Sequence, residues 1–235
     1  MKLFTAVAAA LVICCSAYAQ DGIQDFIIDP GQFAKSDGPQ VSTKFKLAFP
    51  MYFGWTTMVG LPKGFPEMRA GKSFDYSLDL FSYNLYFGAA RHHKLSLAAR
   101  MDFMNFGFED AYKTVYRVGD TYVIGPATGT NGRSSMLHAN YMGVPLSYSF
   151  RAHHMEMYAG ISAEFLLSGY ALYRDPKVKT FYNSCFNKFR SAVEVGVSYW
   201  HLGMFLKYSL TPLFSGNFPE GGDARTLTFG ILLGL

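Results

Sequence analysis

Histidine is the residue type in this chain best suited to chemistry, and there are six of them. His92-His93 and His153-His154 form adjacent pairs, and imidazole is the commonest protein metal ligand, so a metal site is the first chemistry to weigh. Both pairs, and His201 with them, fall in short polar segments between apolar runs. A tight turn wants wetted polar side chains there for its own sake, so no metal or other cofactor is expected. His138 stands apart, beside a long connection. A histidine joined to a serine and an acid at such a place does acid–base or nucleophilic work on lipids or peptides, but no motif attaches a Ser or Asp to His138. No residue is assigned as catalytic, cofactor-binding or metal-ligating, and the chain does not read as an enzyme.

The charges say more, because of where they fall. In residues 189–210, Phe189, Val193, Val195, Val197 and Tyr199 alternate with Arg190, Ala192, Glu194, Gly196 and Ser198. A short reversal at Trp200-His201-Leu202-Gly203 leads into Met204, Leu206, Tyr208 and Leu210, with Lys207 and Ser209 between. A period of two on two arms joined by a tight turn is an antiparallel hairpin with one apolar and one polar face. The same alternation elsewhere puts Lys44, Lys46, Asp75, Asp79, Arg100, Asp102, Glu156 and Glu164 on the polar side, with Arg190, Glu194 and Lys207.

The elements that must hold those charges read as follows. Residues 42–54 form a first strand, with Pro50 marking a bulge or kink because it has no N–H to give a ladder. Residues 74–87 form a second, whose phase slips between Leu80 and Phe81; one β-bulge would restore it. A third strand starts at Leu95. Residues 109–135 are the longest connection, with a hairpin inside it around Gly119-Asp120. Strands follow at about 137–150, 155–167, in the two arms of 189–210, and at 226–235, while residues 173–187 and 213–224 are loops. That is eight strands. Connections after the second, fourth and sixth are short, and those after the first, third, fifth and seventh are long. Outer-membrane barrels sort their loops this way, short on the periplasmic side and long outside. An even strand number returns both barrel ends to the periplasmic side.

Composition and ends agree. Hydrophobic residues make up 50% of the chain and charged ones 16%, against about 25% charged in an average soluble domain. Lys2, an apolar stretch to about residue 15 and Ala17-Tyr18-Ala19 read as a secretory signal peptide over residues 1–19. No later apolar run reaches the roughly 20 residues of a membrane helix. Removing the leader takes Cys14 and Cys15 with it and leaves Cys185 as a packed or tolerated thiol, with no intramolecular disulfide. Without Lys2 the 21 basic residues become 20 against 17 acidic, an excess too small for a nucleic-acid partner and consistent with acidic lipid. Residues 20–41 read as a periplasmic lead-in and residues 42–235 as the barrel domain.

Tyr141-Met142-Gly143-Val144-Pro145-Leu146 resembles the Tyr-Leu-x-Ile-Pro-Leu strand of the small outer-membrane β-barrel family of Bacteroidota, the porin-family or PorT-like barrels. Tyr158-Ala159-Gly160, Tyr208-Ser209-Leu210-Thr211 and the alternating terminal strand are similar to it as well. The likeness covers most of the expected mature chain, and its motifs are structural, so it implies a fold and brings no catalytic residues. Outer-membrane barrels often end in an aromatic residue. This chain ends in Leu235, and Phe229 keeps part of that assembly signal, which makes the barrel-insertion machinery an expected partner.

The expectation is therefore an all-β, eight-stranded antiparallel up-and-down transmembrane β-barrel in the outer membrane of a Gram-negative bacterium. An eight-stranded lumen is barely wider than its own side chains, so the inward charges are expected to form a structural network rather than line a wide pore. The expected role is non-enzymatic: structural, surface-binding or narrowly porin-like. An accessory barrel of a secretion or envelope-assembly complex, with an envelope protein partner, is the alternative, and an outer-leaflet lipid-modifying enzyme comes third. Tyr112, Tyr116, Tyr122, Tyr170, Tyr173 and Tyr182 are expected to anchor at the lipid headgroups.

Overall fold

Strands with a period-two pattern bury one face, and here each finds its chain neighbour to do so. The computed structural model describes residues 27–28, 41–46, 49–88, 92–126, 134–174 and 177–234. The expected leader, and the expected lead-in apart from Ile27, Ile28 and Val41, lie outside the described residues. The strands are β1 (Ile27–Ile28), β2 (Ser42–Lys46), β3 (Met51–Val59), β4 (Phe74–Phe87), β5 (His93–Gly107), β6 (Lys113–Val118), β7 (Thr121–Pro126), β8 (Ser134–Ala152), β9 (Met155–Arg174), β10 (Val178–Phe181), β11 (Phe189–Tyr199), β12 (Leu202–Ser209) and β13 (Arg225–Leu233).

The wall runs β3, β4, β5, β8, β9, β11, β12, β13, every pair antiparallel, and β13 returns to β3 from Arg225↔Val59 to Leu233↔Met51. It is a closed, eight-stranded, up-and-down β-barrel. The expected single first strand is two. β2 and β3 lie along the same edge of β4, residues 47 and 48 between them lying outside the described residues, and β3 continues past Gly54 to Val59. Pro50 sits at the break, where its carbonyl accepts from Asp79 N at 3.1 Å. β1 pairs with the outer edge of β2, Ile27 opposite Lys44. The expected phase slip in β4 is a register shift between Asp79 and Phe81.

Polarity is inverted relative to a soluble protein. Phe53, Trp55, Phe81, Met142, Leu146, Met157, Ile161, Phe165, Val195, Tyr199 and Met204 project outward, Met204 with 66% of its surface exposed. Asp75, Asp102, Glu164, Arg190 and Lys207 lie inside, each at 4% or less. Water would penalise this arrangement, whereas hydrocarbon favours it because a Lys or Arg on the outer face would cost about 2–4 kcal/mol at mid-depth, and an acid somewhat less. At about 3.3 Å per residue and a tilt of about 40°, the 11 residues of β11 rise roughly 25 Å, the height of a membrane barrel's apolar band. The barrel is transmembrane. Among the described residues no helix is long and apolar enough to cross a bilayer.

β8 and β9, with 19 and 20 residues, outrun both the expected bounds and the roughly 9–11 residues that a crossing needs. Their pairing continues to Ser134↔Arg174, and β10 adds to β9 in the segment expected to be loop. Strict alternation fails there because the loops cover both faces, so periodicity no longer marks the strand.

Candidate functional site: a charged lumen under an apolar cap

Inward side chains from opposite walls meet in the lumen because eight strands leave them no other space. Arg100 on β5 donates Nε to Asp79 of β4 at 2.5 Å and Nη1 to Glu194 of β11 at 2.6 Å, across the barrel. The Tyr52 ring lies 3.8 Å below its guanidinium, Tyr52 Oη donates to Asp79 at 3.3 Å and Tyr158 Oη donates to Glu194 at 2.8 Å. Farther toward the long loops, Lys207 Nζ joins Asp102 at 3.0 Å and Glu164 at 2.8 Å. Arg190 lies 3.6 Å from Glu164, donates to Thr226 Oγ1 at 2.9 Å and stands 4.8 Å over the Tyr141 ring. Toward the short turns, Glu156 takes both Lys94 and Arg151, the latter at 2.6 Å. Buried pairs like these gain little over an apolar filling, but losing one partner strands the other.

Nine of the eleven charges singled out in the sequence are buried here: Asp75, Asp79, Arg100, Asp102, Glu156, Glu164, Arg190, Glu194 and Lys207. Lys44 is half-buried on β2, and the Lys46 side chain lies outside the described ones. Asp75 differs from the other acids. Among the described residues its oxygens meet hydroxyls, Ser77 at 3.4 Å and Thr228 at 3.5 Å, rather than a cation. Sequence reasoning missed Lys94, Arg151 and Tyr52, and it put Tyr158 on the inward side with Glu156 and Glu164 without giving it a partner. Lys94 and Arg151 fell in expected turns, although each continues the inward phase of its strand, Arg100-Ala98-Ser96 and Ser147-Ser149. The two tyrosines have an apolar body and a polar tip, so the strand's phase gives their side of the wall while residue type does not give their hydrogen-bond partners.

The long-loop end is shut by a second, apolar core. Phe65 from the first long loop packs on Phe108, Phe214 and Phe218, with ring centroids 6.2, 6.0 and 6.2 Å away. Phe214 contacts Phe218 at 4.8 Å and Phe186 at 5.7 Å. Met58, Met104, Phe106, Leu137, Cys185 and Leu213 complete the cluster beneath. Backbone bonds lace the loops together: Glu109 N to Glu67 O at 2.8 Å, Tyr122 N to Asn217 O at 2.8 Å and Ser215 N to Cys185 O at 2.9 Å. Asn187 Nδ2 donates to the carbonyls of Pro212 and Phe214, each at 2.8 Å. All four long loops contribute, so the mouth is a built cap. The expected loop tyrosines divide. Tyr122 and Tyr173 are buried in or beside the cap, while Tyr112 and Tyr116 are exposed, so a headgroup girdle does not describe the buried pair.

At the other end the lumen opens into a polar cavity of about 70 Å³ lined by Tyr52, Asp79, Asn84, Lys94, Arg100 and Glu194, with others. Pockets for organic ligands run to about 300 Å³ or more. His138 stacks on Tyr170 with ring centroids 4.5 Å apart. Among the described residues no three His, Cys, Asp or Glu side chains gather as a metal site. Burial in the cap pushes the Cys185 thiol well above its ordinary pKa.

No protein-family model matches the chain, and no curated protein matches it. Among solved structures it is similar to the crystal structure of Ail, the attachment invasion locus protein of Yersinia pestis, with 11% sequence identity and a TM-score of 0.38, over 85% of this chain and 98% of that one.

Proposed function

We propose that this is a non-conducting outer-membrane β-barrel with a structural or surface-binding role, its short turns in the periplasm and its capped end outside. The observation that carries the reading is the apolar cap joined to the cross-barrel ion pairs. Two successive fillings, one of phenyl rings and one of salt bridges, leave no continuous aqueous path for a solute. A loop-built surface fixed by its own core is suited to presenting a rigid face. The sequence motifs support placing it with the small Bacteroidota-type barrels, with lipid and the barrel-insertion machinery as partners. No catalytic group enters this reading.

The β6–β7 hairpin favours one second reading, an accessory barrel in a secretion or envelope-assembly complex. Its inner residues Val115 and Tyr122 are buried in the cap, while Tyr116 and Val118 stay exposed, as does Tyr112 just before the ribbon. Exposed aromatic side chains on a paired ribbon are contact residues for a protein partner.

Refolded protein in a planar bilayer tests the main reading, once heat-modifiable migration on a gel has shown the barrel folded. A silent membrane is the expected outcome. Discrete, reproducible conductance steps overturn it and return the lumen charges to a selectivity role.

A further inference from the structure

Two tight turns at the short-turn end share an unusual backbone. His153-His154 joins β8 to β9 and Trp200-His201 joins β11 to β12, and in each the first residue is left-handed, with φ of 53° at His153 and 58° at Trp200. Among the described residues these are the positive-φ positions not occupied by glycine. Hairpin turns normally give them to Gly or Asn, and a bulkier residue there costs about 1–2 kcal/mol. Strain of this kind collects where a side chain is needed for something other than the turn.

The two turns are neighbours. Trp200 N donates to His154 O at 2.9 Å, and their rings meet edge to face at 5.2 Å. Between them opens a groove of about 250 Å³ lined by Arg151, His153, His154, Glu156, Trp200 and His201. Glu156 is the acid in that lining, and it is already held by two cations, Lys94 and Arg151. Arg151 gives Glu156 its Nε and Nη2, and its side chain is 46% exposed at the groove. His153 and His154 each offer an N–H donor in either protonation state. A cation with several N–H donors suits an anion. The outward apolar band ends at this level, at Tyr199, Trp200 and Leu202, where indole and phenol rings mark the headgroup layer.

We propose that this groove binds the phosphate of an anionic phospholipid in the leaflet that meets the short turns. The inference rests on the membrane reading above and goes beyond it by naming a lipid class and a site. The chain has two tryptophans, so Trp55→Phe leaves Trp200 as the reporter; Trp55 stacks on Phe229 on the outer face, and phenylalanine keeps that contact. The variant is refolded into neutral detergent micelles and titrated with short-chain phosphatidylglycerol, then with phosphatidylcholine of the same chain length and with inorganic phosphate. A saturable change in Trp200 emission is expected for phosphatidylglycerol, at an affinity at least about tenfold above the other two, the weight of one charge-assisted hydrogen bond. His153→Gly with His154→Ala should weaken it by a similar factor while keeping the heat-modifiable band, since glycine fits the left-handed position. Equal affinity for phosphatidylcholine or for free phosphate, no saturable change, or an unaltered double variant overturns the site. Loss of the heat-modifiable band in the wild-type protein, run in parallel, would instead overturn the membrane reading, and the groove with it.

Discussion

Asp79 and Arg100 are register partners across the β4–β5 ladder, and their side chains meet inside the barrel at 2.5 Å. One step farther along β4 the register shifts, and Phe81 faces outward with 43% of its surface exposed. The bulge thus lets one strand hold a carboxylate inside and an aromatic ring outside on residues two apart. Arg100 also spans the lumen to Glu194, so Arg100→Met strands two buried carboxylates. A loss of about 3–5 kcal/mol is expected in urea unfolding from lipid vesicles. Adding Asp79→Leu and Glu194→Leu should recover most of it. A single variant that costs nothing measurable would show that the network is not structural.

Asp75 makes the opposite prediction from a neighbouring position. It is buried at 1% and met by hydroxyls, whereas Asp102, also at 1%, faces Lys207 at 3.0 Å. Asp75→Asn keeps the shape and removes a carboxylate that, among the described residues, no cation contacts directly, so stability should hold or rise by about 1 kcal/mol. Asp102→Asn should lower it by about 1–3 kcal/mol. Equilibrium unfolding of the two variants side by side decides the matter; a larger loss in Asp75→Asn would mean that its charge is paired in solution.

Barrel closure rests on a bare contact. Gly54 and Gly230 are register partners between β3 and β13. A Cβ on Gly230 would collide with Phe53 O and the Gly54 Cα, backbone atoms that cannot turn aside. Gly230→Val is expected to cost more than about 3 kcal/mol and to leave most of the protein in the unfolded gel band after refolding. Ile231→Val, one residue on and facing outward, should fold like wild type.

Cys185 reports on the cap. It is fully buried, and burial raises its thiol pKa. A raised pKa leaves little thiolate at neutral pH, which slows reaction further. Folded wild type should resist a bulky maleimide. Phe214→Ala removes the ring that touches Phe65, Phe186 and Phe218, and local opening of the cap should speed labelling at least about tenfold while the barrel keeps its heat-modifiable band. Equal labelling rates would mean that the four loops do not act as one core.

The wall was legible in the sequence because a membrane barrel repeats one rule along its whole length. Each residue on a strand faces either hydrocarbon or the lumen, so Val193, Val195 and Val197 against Arg190 and Glu194 already contain strand, facing and pairing. Loop lengths gave strand number and order, and Pro50 and the Leu80–Phe81 slip gave the places where the ladder breaks. Tertiary structure decided what lies at the two ends. The cap gathers Phe65, Phe108, Phe186 and Phe214 from segments far apart in the chain that share no period, and apolar loop residues look alike whether they meet lipid, solvent or one another. Arg100 shows the same limit in the lumen: it meets Glu194 on a strand three places away, and an ion pair across a ring depends on register summed over the strands between. Arg151 is by contrast the register partner of Glu156 across the β8–β9 turn, with Lys94 beside them on β5, and it was missed because the strands run farther than expected. The sequence alone determines which face each wall residue takes, since that choice is local, and the fold decides which residues meet, since that choice is not.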